Sequence, residues 1–145
     1  MKLILASDLS FLLKYGYDLT GIPKDQIKIG HIAIRETGFV GILKELLDEG
    51  KVYIGTSVGS YIMCPTIEVS DWNPDGKDRF GVTDFTALNY VPFVLKVHYK
   101  DEQEEIVRKG IKTLKYPIHI LKDGQGMFCE DGVYRFIGDG AEIKF

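Results

Sequence analysis

Cysteine is scarce in this chain: only Cys64 and Cys129 occur among the 145 residues, far apart and in apolar surroundings. Neither belongs to a C-x-x-C pair, which excludes a redox or zinc motif of that kind and leaves two buried free thiols as the expectation. Charge of one sign is lacking too. The 18 basic and 21 acidic residues give a formal net charge of -3 and are spread along the chain, so no counter-charge surface for nucleic acid or anionic lipid is expected. Long apolar runs are missing: the stretch Met1 to Ser7 is too short for a signal segment or a membrane span, and the protein is expected to be cytoplasmic. No histidine has a second histidine or a carboxylate at zincin spacing, and there is neither a P-loop nor a dinucleotide fingerprint, so no metal and no cofactor are expected. Internal repeats and low-complexity tracts do not occur.

What is present is the composition of one ordinary globular domain over residues 1–145, with 45% hydrophobic and 27% charged residues, long enough for a single core. Lys2 to Ala6 forms a buried-strand run, and Ser7-Asp8 could open a helix over Leu9 to Tyr15. Ile27 to Ile34, interrupted by Gly30 and His31, is ambiguous between strand and loop. From Glu36 to Glu49, Phe39, Ile42, Leu43, Leu46 and Leu47 recur on one helical face, and Gly50 stands at the stop. Val52-Tyr53-Ile54 then reads as a buried strand entering a glycine-flanked turn, with a short helix continuing from Ser60 to Met63. Ser70 to Asp84 is the longest polar loop. Val91 to Val97, Glu102 to Leu114 and Ile118 to Leu121 follow as strand, helix and strand. Three Asp-Gly pairs then mark turns between Met127 to Cys129, Tyr134 to Ile137 and Glu142 to Phe145. The order predicts an α/β fold, a mostly parallel sheet with helices on its faces and hairpins at the C-terminal end.

Gly55-Thr56-Ser57-Val58-Gly59 matches G-x-S-x-G in the strand-to-helix setting that a nucleophile elbow requires. The sharp turn strains the serine backbone, and it puts the Val58 N–H at a helix start, where it could donate to an oxyanion. A serine hydroxyl needs a base. Of His31, His98 and His119, His98 stands at the carboxyl end of a strand, the rim where sites of open parallel sheets gather. An orienting acid could come from Glu68, Asp71, Asp75, Asp78 or Asp84, all between serine and histidine.

Lys51 to Ser60, Cys64-Pro65-Thr66-Ile67, Ala87-Leu88-Asn89-Tyr90-Val91-Pro92-Phe93 and Val97-His98-Tyr99 occur in the order found in the dipeptidase E (aspartyl dipeptidase) family, which this chain resembles. Leu121 to Gly126 adds a further match. The resemblance implies a three-layer fold like that of class I glutamine amidotransferases. It implies Ser57 as nucleophile, His98 as base, Asp71 as the acid with Glu68 as substitute, and the Val58 backbone N–H as one oxyanion donor. Gly124 and Gln125 fall in the C-terminal match and are candidates for substrate contact. The implied substrate is a short peptide, with N-terminal aspartate preferred.

Two departures accompany the match. Valine replaces the family's alanine at position 58, where space is expected to be tight. The glycine loop that supplies the second oxyanion donor is not found, and a segment around His31 to Ile34 looks missing. From that gap a homodimer is expected, with its interface between Ile27 and Phe39. A catalytically silent relative acting as a binding or assembly module is the alternative to an active serine peptidase.

Overall fold

The computed structural model describes residues 1–8, 38–72 and 83–145. The expected helix over Leu9 to Tyr15, the ambiguous stretch Ile27 to Ile34 and most of the expected dimer interface lie outside these residues. Strand β1 (Lys2–Ala6) is followed by α1 (Phe39–Asp48), β2 (Val52–Thr56) and the short α2 (Val58–Tyr61). A 3-10 turn over Glu68–Trp72, β3 (Val94–Lys96), a second 3-10 turn over Asp101–Gln103 and α3 (Glu104–Ile111) come next. The chain closes with β4 (Ile118–Ile120), β5 (Gln125–Glu130) and β6 (Val133–Gly138).

Helix α1 ends where the sequence places its glycine. Gly50 takes φ 81°; its N–H donates to the Leu47 carbonyl at 3.1 Å, and the Lys51 N–H reaches back to Leu46 at 2.9 Å. These are the two bonds of a Schellman ending, which needs a left-handed residue. The apolar stripe is narrower than expected. Leu43 and Leu47 are buried, whereas Ile42 and Leu46 are exposed, because the helix aims the line through Leu43 and Leu47 at the core and carries the other two round its flank.

Strands β1 and β2 pair in parallel, Lys2 opposite Val52 through Ala6 opposite Thr56. On its other side β1 pairs antiparallel with β5, and β5 with β6, giving the order β2-β1-β5-β6. Strands β3 and β4 form a separate parallel pair. The sheet is thus more mixed than expected, since the C-terminal hairpin is built into it beside β1. Asp131-Gly132 is the hairpin turn, with positive φ at both residues (49° and 80°), the backbone of the tight turn that matches strand twist. The third expected hairpin segment does not pair with β6; Ile143 bridges to Ile120 of β4 instead.

Strand β1 is buried on both faces. Leu3 and Leu5 join Leu43, Leu47, Ile62, Leu95 and Leu121 in the main core, while Ile4 and Ala6 pack with Ile54, Phe128 and Ile137 on the other face. Helix α3 docks through Val107 onto Tyr99 and Ile120, with Trp72 at the edge. A Cβ added at Gly110 would stand 2.4 Å from Trp72 Cε2, closer than two carbons approach. Gly110→Ala is therefore expected to displace the indole and lower stability by about 1–3 kcal/mol, measurable as a lower urea midpoint at unchanged m-value.

Candidate active site

The carboxyl ends of β1, β2, β3 and β4 converge, and each delivers one polar residue to the same place. Ser57 follows β2 with φ 51° and ψ -118°, a conformation that costs of order 1–3 kcal/mol and persists only when its surroundings enforce it. The enforcement is visible. The Ser57 N–H lies 3.2 Å from the carbonyls of both Ala6 and Ser7. The Tyr53 hydroxyl donates to the Gly59 carbonyl at 2.9 Å, and burial pushes that phenol well up. The Ser60 hydroxyl stands 2.8 Å from the carbonyls of Ala6 and Gly55. Gly55 has no room for a side chain, because a Cβ there would meet the Gly59 carbonyl oxygen at 2.6 Å.

His98 follows β3 and takes φ 54°, which turns its ring toward the elbow. Its Nε2 lies 3.0 Å from Ser57 Oγ, and its Nδ1 lies 2.7 Å from Asp123 Oδ1. A carboxylate on Nδ1 selects the tautomer with its proton there, leaving Nε2 as an acceptor for the serine hydroxyl. The acid on His98 is therefore neither Asp71 nor Glu68. Asp71 is exposed on the 3-10 turn. Glu68 lines a separate cleft of about 300 Å³ with Thr66, Phe85 and Tyr116, which contains none of Ser57, His98 and Asp123. Asp84 accepts the Thr86 N–H at 2.9 Å, and Asp75 and Asp78 lie outside the described residues.

Asp123 belongs to an Asp-Gly pair, a generic turn signal, so its dipeptide hid it. The signal that could have found it is the one that found His98: it lies three residues past the end of a strand, Ile118–Ile120, on the carboxyl rim. Ser7 was missed for the same kind of reason, as a helix opener after β1. Its hydroxyl donates to Asp123 Oδ1 at 3.0 Å and accepts the His98 backbone N–H at 2.8 Å. Asp8 beside it accepts the Gly124 N–H at 3.1 Å.

The Gln125 side chain is engaged by the backbone, its Oε1 accepting from the Lys122 N–H at 2.8 Å and its Nε2 donating to the Asp139 carbonyl at 2.7 Å. Gln125 is thus a cross-tie of the loop. Val58 heads α2 with its side chain exposed, so the crowding expected at this position is absent. His119 stacks edge-on against Phe93 at 4.6 Å and meets Glu142 at 2.5 Å; His31 is outside the described residues. Cys64 and Cys129 are free and buried, and burial pushes each thiol up to about 12, which leaves neither as a thiolate nucleophile at neutral pH. Among the described residues no cluster of His, Cys, Asp and Glu could hold a metal ion, and no helix is long and apolar enough to cross a membrane.

The chain is 29% identical over 116 residues to Peptidase E of a Nostoc species, covering 73% of this chain and 46% of that one. It is 32% identical over 91 residues to an uncharacterized peptidase of Listeria monocytogenes, covering 59% of this chain and 44% of that protein. The matched part thus spans less than half the length of these curated relatives. A 1.5 Å crystal structure of a candidate peptidase E from Listeria monocytogenes superposes with a TM-score of 0.69 at 16% identity, covering 96% of this chain and 98% of that one. That likeness establishes the fold, a mixed α/β architecture with a sheet and flanking helices. Residues 31–137, from before α1 into β6, match the profile of peptidase family S51, and the chain belongs to that family.

Proposed function

We propose that the chain is a serine peptidase acting on short peptides, with Ser57 as nucleophile, His98 as general base and acid, and Asp123 as the orienting carboxylate. The single observation that carries this reading is the continuous relay from Ser57 Oγ through His98 to Asp123, at 3.0 and 2.7 Å, with its serine on a strained elbow. In the reaction Ser57 Oγ attacks the peptide carbonyl carbon as its proton passes to His98 Nε2. The carbonyl oxygen, now negative, accepts the Val58 N–H, an orphan donor at the first position of α2. Collapse of the tetrahedral intermediate breaks the C–N bond, and Nε2 returns the proton to the leaving amine. Water, deprotonated by His98, then hydrolyses the acyl ester and restores Ser57. The imidazolium formed in each half faces the Asp123 carboxylate.

The Nostoc relative's name supports the peptide substrate, as does the family. The backbone strain at Ser57 favours an active enzyme over a silent scaffold, because a turn kept only for packing gains nothing from that conformation. A fluorophosphonate probe tests the reading without needing the natural peptide. One adduct per chain at Ser57, absent in Ser57→Ala and in His98→Ala, is the expected result. An unlabelled wild-type protein with a native fold would instead support the binding or assembly module.

A further inference from the structure

An exposed pair of side chains holds its geometry poorly, yet His98 and Asp123 are 42% and 57% exposed. Pairs at that exposure do little to keep two side chains in one arrangement, and a base whose ring wanders by an ångström loses most of its effectiveness. A buried group has to anchor them. Ser7 is 0% exposed at the end of β1. A serine hydroxyl has one proton and two lone pairs; here the proton goes to Asp123 Oδ1 and a lone pair takes the His98 backbone N–H. Asp123 Oδ1 also receives the His98 Nδ1 proton. The bonds therefore close a ring, from the Ser7 hydroxyl to the carboxylate, through the imidazole to the His98 backbone, and back to Ser7.

The ring addresses both degrees of freedom that matter. The hydroxyl restricts the rotamer of Asp123, and it holds the amide of a residue whose φ of 54° a side-chain-bearing residue keeps only under constraint. The Ser7 carbonyl also faces the Ser57 N–H at 3.2 Å, so this one residue touches all three members of the relay. Resting on the reading of Ser57, His98 and Asp123 given above, we propose that Ser7 is a positioning residue for the relay, setting the orientation in which His98 Nε2 meets Ser57 Oγ. No proton passes through it and it touches no substrate.

Three variants separate this role from packing. Ser7→Ala removes the hydroxyl and keeps the carbonyl; Ser7→Cys fills the same space with a weak donor and serves should the alanine variant not fold; Ser7→Thr retains the hydroxyl. With a fluorophosphonate probe, Ser7→Ala and Ser7→Cys are expected to lower the maximal inactivation rate by about 10²-fold, the scale of a misplaced catalytic group, with half-saturation unchanged. Ser7→Thr should recover most of the rate. The independent readout is the NMR signature of the His98 ring: a single tautomer with an exchange-protected Nδ1 proton in wild type, Ser7→Thr and Ser57→Ala, and mixed tautomers in Ser7→Ala and Ser7→Cys. Wild-type rate together with a protected Nδ1 proton in Ser7→Ala or Ser7→Cys would overturn the proposal, as would the absence of that proton from wild type. If wild type does not label but the signature is present and is lost with the hydroxyl, the positioning role stands and the peptidase reading fails.

Discussion

Asp123→Asn lowers the turnover of a short peptide by about 10²–10⁴-fold, while Asp71→Asn leaves it within about threefold. The amide is isosteric with the carboxylate but can present its NH₂ to Nδ1, which would select the tautomer that puts a proton on Nε2 and blocks acceptance from Ser57. It also removes the negative charge facing the imidazolium. A buried acid of this kind loses activity at the upper end of that range. Asp123 is more than half exposed, so water can partly replace its charge stabilisation, and a value nearer the lower end is expected. Asp71 makes no described hydrogen bond to His98, and its substitution removes only a solvated charge on the Glu68–Trp72 turn. Steady-state rates for the two variants, with circular dichroism to confirm the fold, decide the assignment. Loss of activity in Asp71→Asn with Asp123→Asn active would move the acid back to the 3-10 turn.

The two glycines of G-x-S-x-G are expected to respond very differently to alanine. At Gly55 a methyl group would stand 2.6 Å from the Gly59 carbonyl oxygen and 2.7 Å from Tyr53 Cε1. The oxygen is backbone, so the strand and α2 must separate for the methyl to enter. That movement strains the bonds from Tyr53 to Gly59 and from Ser60 to Gly55, which hold the elbow. A cost of about 3 kcal/mol or more is expected, at the upper end for overpacking, and displaced Ser57 should no longer label. At Gly59 the nearest atom to a new methyl is the Tyr53 hydroxyl at 3.4 Å, ordinary contact, and alanine favours the helical backbone by about 1 kcal/mol. Gly59→Ala should therefore stay within about 1 kcal/mol of wild type. Urea unfolding of both variants beside fluorophosphonate labelling checks the pair. Equal losses at the two positions would show that the turn is constrained by something other than the close approach at Gly55.

Local chemistry made the elbow legible in advance. A strand over Val52 to Ile54, a glycine that permits close approach and a helix after Ser57 all depend on residues within a few positions of one another; β2 and α2 stand on either side of the turn, although α2 covers Val58–Tyr61 rather than Ser60 to Met63, and Val52 is exposed rather than buried. The Gly50 stop and the Asp131-Gly132 hairpin turn depend on local residues in the same way. His98 was legible through one topological rule, that sites collect at the carboxyl ends of strands. Histidines are few, so a strand-end histidine stands out, whereas Ser7 and Asp123 are residue types with common local uses as helix caps and turns.

Short spans of sequence, then, carried the strand over Lys2–Ala6, the helix stop at Gly50, the serine turn after β2 and the histidine at a strand end, since hydrophobic period, turn residues and strand ends are encoded locally. Tertiary structure alone decided the partner strands of β1, the acid on His98 and the hydroxyl that ties that acid down. The physical reason is separation along the chain. The Ser57 to His98 contact bridges 41 residues, the His98 to Asp123 contact 25, and the Ser7 to Asp123 contact 116. The Ser7 to Asp123 contact forms where β5 folds back beside β1, the His98 to Asp123 contact where β4 lies beside β3, and Ser57 joins them from β2, the parallel neighbour of β1. Such pairings are selected by burial across the whole core, which no window of neighbouring residues contains.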